Sequence, residues 1–124
     1  CQQQASLETG FGLDRGTHTL AEPASIFQPN QPFSLVLRNA DFRDSYLDLE
    51  IYHIRPSGKE VLVRNISLSN IDPDSDYLQI DRAFALPYPG RYRIIFSQLM
   101  EKLASTEVQI AAPGDPGYKD RQEY

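Results

Sequence analysis

Residues 47–52 read Leu-Asp-Leu-Glu-Ile-Tyr, apolar and polar side chains in strict alternation, and the same two-residue period returns along most of the chain. A strand sends successive side chains to opposite faces, so this pattern gives one face to a core and the other to water. A helix of the same residues would scatter its apolar groups around the whole circumference. The chain is therefore expected to be all-β, with antiparallel strands buried on one face.

The pattern can be followed strand by strand. An opening strand is expected within 17–27. Phe33, Leu35 and Leu37 alternate with Ser34 and Arg38 after Pro32. Leu47, Leu49, Ile51 and His53 share one face of the next segment, and Tyr46, Asp48, Glu50 and Tyr52 share the other. Arg55-Pro56-Ser57-Gly58 places Pro second and Gly fourth, as in a type I turn. That turn predicts a hairpin to residues 60–69. Val61 and Val63 there have the opposite parity to Ile66 and Leu68, which predicts a bulge near Arg64-Asn65. Leu78, Ile80, Phe84 and Leu86 form a further face, then Tyr92, Ile94 and Phe96, then 103–110. The only stretch that suggests helix is a single turn within 98–104.

These segments amount to about seven short strands in about 95 residues, the pattern of a two-sheet sandwich of immunoglobulin-like type. The sandwich is expected to span 17–111. Before it, residues 1–16 are rich in Gln, Ser, Thr and Gly and read as a tether, with a reach of about 20 Å if flexible. After it, 112–124 read as a Pro/Gly-rich arm.

Leu86-Pro87-Tyr88-Pro89-Gly90-Arg91-Tyr92 resembles the Pro-Gly-x-Tyr strand entry of many bacterial immunoglobulin-like and transthyretin-like domains. The resemblance implies that Tyr92 packs inward, as a structural tyrosine corner, and hydrogen-bonds a neighbouring loop. It implies a fold and no activity.

The chain carries 12 Lys and Arg against 17 Asp and Glu, a formal net charge of −5, with its cations scattered singly. Nucleic acid is excluded as a partner on that ground, because phosphate backbones demand a basic stripe. Enzyme patterns are missing as well. The two histidines, His18 and His53, and the single cysteine provide no metal pair, and no Gly-rich phosphate loop or G-x-S-x-G elbow occurs. No catalytic residue, no enzyme activity and no cofactor are expected. His53, flanked by apolar neighbours, reads as a packed core histidine, and His18 as an exposed one.

The one cysteine is Cys1, followed by Gln2-Gln3-Gln4-Ala5-Ser6. This opening resembles that of a mature bacterial lipoprotein, in which the cysteine sulfur carries diacylglycerol. The resemblance implies lipidation of Cys1, attachment to a membrane by acyl chains, and a place in the bacterial cell envelope. Two or three such chains anchor a protein stably where one does not.

Two polar features remain. Asp72, Asp74 and Asp76 match the first alternating ligands of an EF-type calcium loop, but Tyr77 stands where that loop has Gly and Ala83 where it has Glu. Asp and Pro are also ordinary turn residues. The tyrosines are the other feature. Tyr46 and Tyr52 on a polar strand face, and Tyr118 and Tyr124 in the C-terminal arm, are candidate partner contacts, since exposed tyrosine is common material of protein interfaces.

The expectation is thus a lipid-anchored accessory or scaffold subunit of an envelope complex that works by binding other proteins. Two alternatives are a surface lipoprotein that binds a small ligand or glycan, and a calcium-dependent adhesive module using Asp72, Asp74 and Asp76.

Overall fold

The computed structural model describes residues 5–111 apart from 15, 18 and 70, with 81–84 described by their backbone. Cys1, His18 and the arm 112–124 with Tyr118 and Tyr124 lie outside the described residues. The described chain is all-β: β1 (Ser6–Asp14), β2 (Thr19–Pro23), β3 (Ile26–Phe27), β4 (Phe33–Arg38), β5 (Leu47–Ile54), β6 (Glu60–Leu68), β7 (Leu78–Phe84), β8 (Gly90–Gln98) and β9 (Glu101–Ile110). They form a sandwich of two sheets, ordered β2-β1-β4-β7 and β3-β9-β8-β5-β6.

The alternation is visible in the burial. Leu47, Leu49 and Ile51 of β5 and Tyr92, Ile94 and Phe96 of β8 are at most 3% exposed, while Asp48 and Arg91 face out. The opposite sheet presents Phe33, Leu35 and Leu37 from β4 and Leu7 from β1. Phe27 stacks on Phe33 at 4.3 Å and receives the edge of Phe11 at 5.3 Å, stitching the first strands into the core. Strand β4 departs from simple alternation, since Ser34 and Val36 are also fully buried.

Five expectations are corrected. Residues 6–14 are not tether but β1, an inner strand of its sheet, paired with β4 from Ser6↔Arg38 to Gly10↔Ser34. The polar composition hid it: Thr9 is buried because its hydroxyl donates to the Ala24 carbonyl, and a Cβ on Gly12 would meet the Ala21 side chain at 2.8 Å. The expected single strand in 17–27 is broken into β2 and β3, which join different sheets. The described residues therefore hold nine strands rather than seven. The sandwich is also not purely antiparallel, because β3 pairs in parallel with β9, Ile26↔Gln109 and Phe27↔Ile110. Finally, 98–104 contain no helical turn but the two-residue connection of the β8–β9 hairpin.

The β5–β6 hairpin carries its bulge at Val63, where Ile51 faces Arg64 and Tyr52 faces Leu62. That is one residue before the predicted step. One extra residue there lets both parities of β6 sit in one strand.

Candidate functional site

Three connections meet at one end of the sandwich: residues 39–46, residues 69–77 and the β8–β9 turn. Backbone hydrogen bonds tie them, with Ala40 N–H donating to the Asp76 carbonyl at 2.9 Å and Ile71 N–H to Ser45 at 2.9 Å. Gln98 holds the first segment from below. It is 4% exposed; its Oε1 accepts the Arg43 N–H at 2.6 Å, and its Nε2 donates to the carbonyls of Asp44 at 2.7 Å and Tyr46 at 2.8 Å. A buried amide satisfied this completely fixes the loop more firmly than loop residues alone could.

The β8–β9 turn joins Gln98 to Glu101 through Leu99 and Met100, whose φ angles are +53° and +64°. Left-handed conformation at both central positions is the type I′ arrangement, which favours Asn-Gly. A residue with a Cβ costs roughly 1–2 kcal/mol there. Leu99 is nevertheless 64% exposed and Met100 100% exposed, so neither side chain recovers that cost by burial. Tyr46, 62% exposed, belongs to the same end through its bond to Gln98. The surrounding connections carry Asp41, Asp44, Asp72, Asp74, Asp76 and Glu101 against Arg43 and Lys102. Asp41, Arg43 and Glu101 lie around Leu99, and Asp48, Glu50 and Lys102 around Met100, so carboxylates outnumber cations about the apolar tip.

Tyr52 is not part of this end. It is half-buried on the outer face of β5 and donates to Glu50 Oε2 at 3.3 Å. Partial burial, and then the Glu50 carboxylate, push its phenol above the usual range.

Asp72, Asp74 and Asp76, the residues of the calcium expectation, lie in the 69–77 connection at this end. Among the described residues no three acidic, histidine or cysteine side chains gather to hold a metal. Asp72 Oδ1 accepts the Asp74 N–H at 2.9 Å, and the Asp72 carbonyl accepts the Ser75 N–H at 3.1 Å. This local capping makes the segment a turn.

At the opposite end, Tyr92 is 3% exposed and its hydroxyl donates to the Tyr88 carbonyl at 2.7 Å. Burial, with Tyr88 second, raises its phenol pKa. The bond holds residues 85–89 over a recess of about 420 Å³ beside β5 and β6. His53 lies on its wall, its ring 4.9 Å from that of Tyr92.

Gln98, Leu99 and Met100 were not among the residues singled out by sequence. Gln98-Leu99-Met100-Glu101 contains none of the Gly, Asn, Asp or Pro that mark tight turns. The one available signal was the spacing, since Tyr92, Ile94, Phe96 and Gln98 share a parity that Ala104, Val108 and Ile110 resume after the turn.

Compared with known proteins, the chain matches no protein-family model and no curated protein.

Proposed function

We propose that this protein is a lipid-anchored accessory subunit of a bacterial envelope assembly, and that it binds a partner protein through the end of the sandwich carrying Tyr46, Leu99 and Met100. The observation that carries the reading is the β8–β9 turn, where two large apolar side chains are fully or largely exposed in a backbone conformation that favours Asn-Gly. Backbone cost without folding benefit is characteristic of functional sites. The partner chemistry that fits is an apolar socket with a basic rim, complementary to the surplus of carboxylates around the tip. The same carboxylates oppose contact with an anionic lipid surface.

The immunoglobulin-like reading of the sandwich belongs to this proposal. Its support is the parallel β3–β9 pair at the sheet edge and the inward Tyr92 beyond Pro89-Gly90.

The anchor also bears on the partner. Ser6 pairs with Arg38, so β1 starts at the loop-bearing end. A lipid on Cys1 would hold that end within about 17 Å of the bilayer, the extended reach of five residues. The partner is then membrane-embedded or membrane-associated.

The test is copurification after mild detergent extraction, with the native chain and the double variant Leu99→Asn/Met100→Gly. The variant should be the more stable, by about 1–3 kcal/mol, yet lose the partner. Retention of the partner by the stabilised variant would overturn the docking surface. Cys1→Ser should release the protein into the soluble fraction; an unmodified thiol on membrane-extracted protein, seen by intact mass, would overturn the anchor.

A further inference from the structure

Met100 is the one methionine in 124 residues, and it stands at the tip of the β8–β9 turn with its side chain 100% exposed. Among the described residues its thioether is also the only sulfur. A mild two-electron oxidant converts a thioether to a polar sulfoxide and leaves the backbone untouched. Oxidation of a buried methionine disrupts the core around it. Here the sulfur is open to the oxidant, and the fold has no packing to lose. The ladder closes below it at Gln98↔Glu101, a backbone pairing in which the sulfur takes no part.

The surroundings bear on which oxidant arrives. Asp48, Glu50 and Lys102 share a hollow with Met100. Their surplus of carboxylate disfavours the approach of an anionic oxidant and leaves a neutral peroxide unhindered.

We propose that the oxidation state of Met100 controls docking at this tip, an inference that rests on the docking surface proposed above. Hydrogen peroxide transfers one oxygen atom to the sulfur. The sulfur lone pair forms the S–O bond as the O–O bond breaks, and the departing hydroxide takes up the proton of the transferred oxygen and leaves as water. The sulfur is oxidised by two electrons and the peroxide reduced by two. A sulfoxide is a strong hydrogen-bond acceptor, and an apolar socket offers it no donor. Reduced Met100 therefore docks and oxidised Met100 does not. The step is reversible: two thiols return the sulfoxide to the thioether, giving a disulfide and water, on the reductases that serve its two epimers. Full exposure leaves both epimers within their reach.

In the test, the purified full chain is treated with hydrogen peroxide, freed of it, and used to recapture the partner from a mild detergent extract. Peptide mass mapping should place an added oxygen on Met100, and the melting temperature should not move. Retention of the partner should fall about tenfold or more, and should return after reduction by methionine sulfoxide reductases with a dithiol. Met100→Leu sets its own level of retention, which peroxide should leave unchanged. The inference is overturned by full retention in the oxidised chain, by the absence of oxygen on Met100, or by a lowered melting temperature. Failure of reduction to restore the partner overturns it too, as does an equal loss when Met100→Leu is treated. Leu99→Asn/Met100→Gly, run beside these, separates the control from the surface. If that variant loses the partner and oxidation does not, the surface stands and the control falls; if it keeps the partner, both fall.

Discussion

His53 and Gly90 are fitted to each other across the β5–β8 pair: a Cβ at position 90 would stand 2.6 Å from His53 Nε2 and 3.3 Å from its Cδ2. Gly90 also has φ near +140°, outside the range side-chain-bearing residues prefer. The glycine of the Pro-Gly step thus serves the turn and the ring packed against it.

Gly90→Ala should therefore destabilise by about 2–3 kcal/mol, the backbone and the clash contributing together. His53→Ser in the same chain should recover part of the loss by opening the space, and urea titration of the two variants measures it. A fully additive pair of losses would show that the contact with His53 plays no part.

Tyr92→Phe should cost about 1 kcal/mol, the loss of one buried hydrogen bond, and Tyr92→Ala about 3–5 kcal/mol. Tyr46→Ala should cost under about 1 kcal/mol, since its side chain is 62% exposed. The raised pKa of Tyr92 makes the folded state hold its proton more tightly than the unfolded one. Its contribution is complete below the ordinary tyrosine range and is lost as pH rises through the folded value. Alkaline unfolding should accordingly be less steep in Tyr92→Phe than in the native chain, as followed by circular dichroism.

Gln98→Ala should cost about 1–3 kcal/mol by leaving the Arg43 N–H and the Asp44 and Tyr46 carbonyls without their partner. Hydrogen exchange at 43–46 should accelerate more than at β5 itself. Uniform acceleration across both would mean that the amide does not hold the loop.

On the outer face, Arg91 donates to Glu107 through Nε at 3.0 Å and Nη2 at 3.1 Å. The Arg91 hydrogen bond is the main reason the Glu107 carboxyl sits below its usual range. A depressed pKa contributes stability above the unfolded value and loses it as pH falls through the folded one. The pair is exposed, so the effect is modest. Glu107→Gln should flatten the decline of melting temperature below the ordinary glutamate range, and an unchanged acid slope would contradict the pairing.

The fold was legible wherever a segment is buried on one face and flanked by turn residues. β5 and the Pro56–Gly58 hairpin satisfy both conditions, β8 does so at its Pro89-Gly90 entry, and the mixed parity of β6 located its bulge to within a residue. β1 satisfied neither, because its buried positions include Thr9 and Gly10, whose fit depends on β2 and the Ala24 carbonyl. The apolar tip was hidden for a related reason. Leu99 and Met100 look like a continuation of core, and only the paired geometry of β8 and β9 puts them outside it. Tyr46 was readable because period-two parity alone assigns it to the polar face.

The chain joins the sandwich at one pole and leaves it at the other. Ser6 lies beside Arg38 near the loop-bearing end, while Ile110 lies beside Gly90 at the end that holds the recess. The nine residues of β8 measure the distance between the poles, about 30 Å at strand rise. The domain is thus a strut in series with its own polypeptide: a pull applied between Ala5 and Ala111 runs along the strands and loads β1 against β4 in shear, across every rung of their ladder at once, rather than peeling them rung by rung.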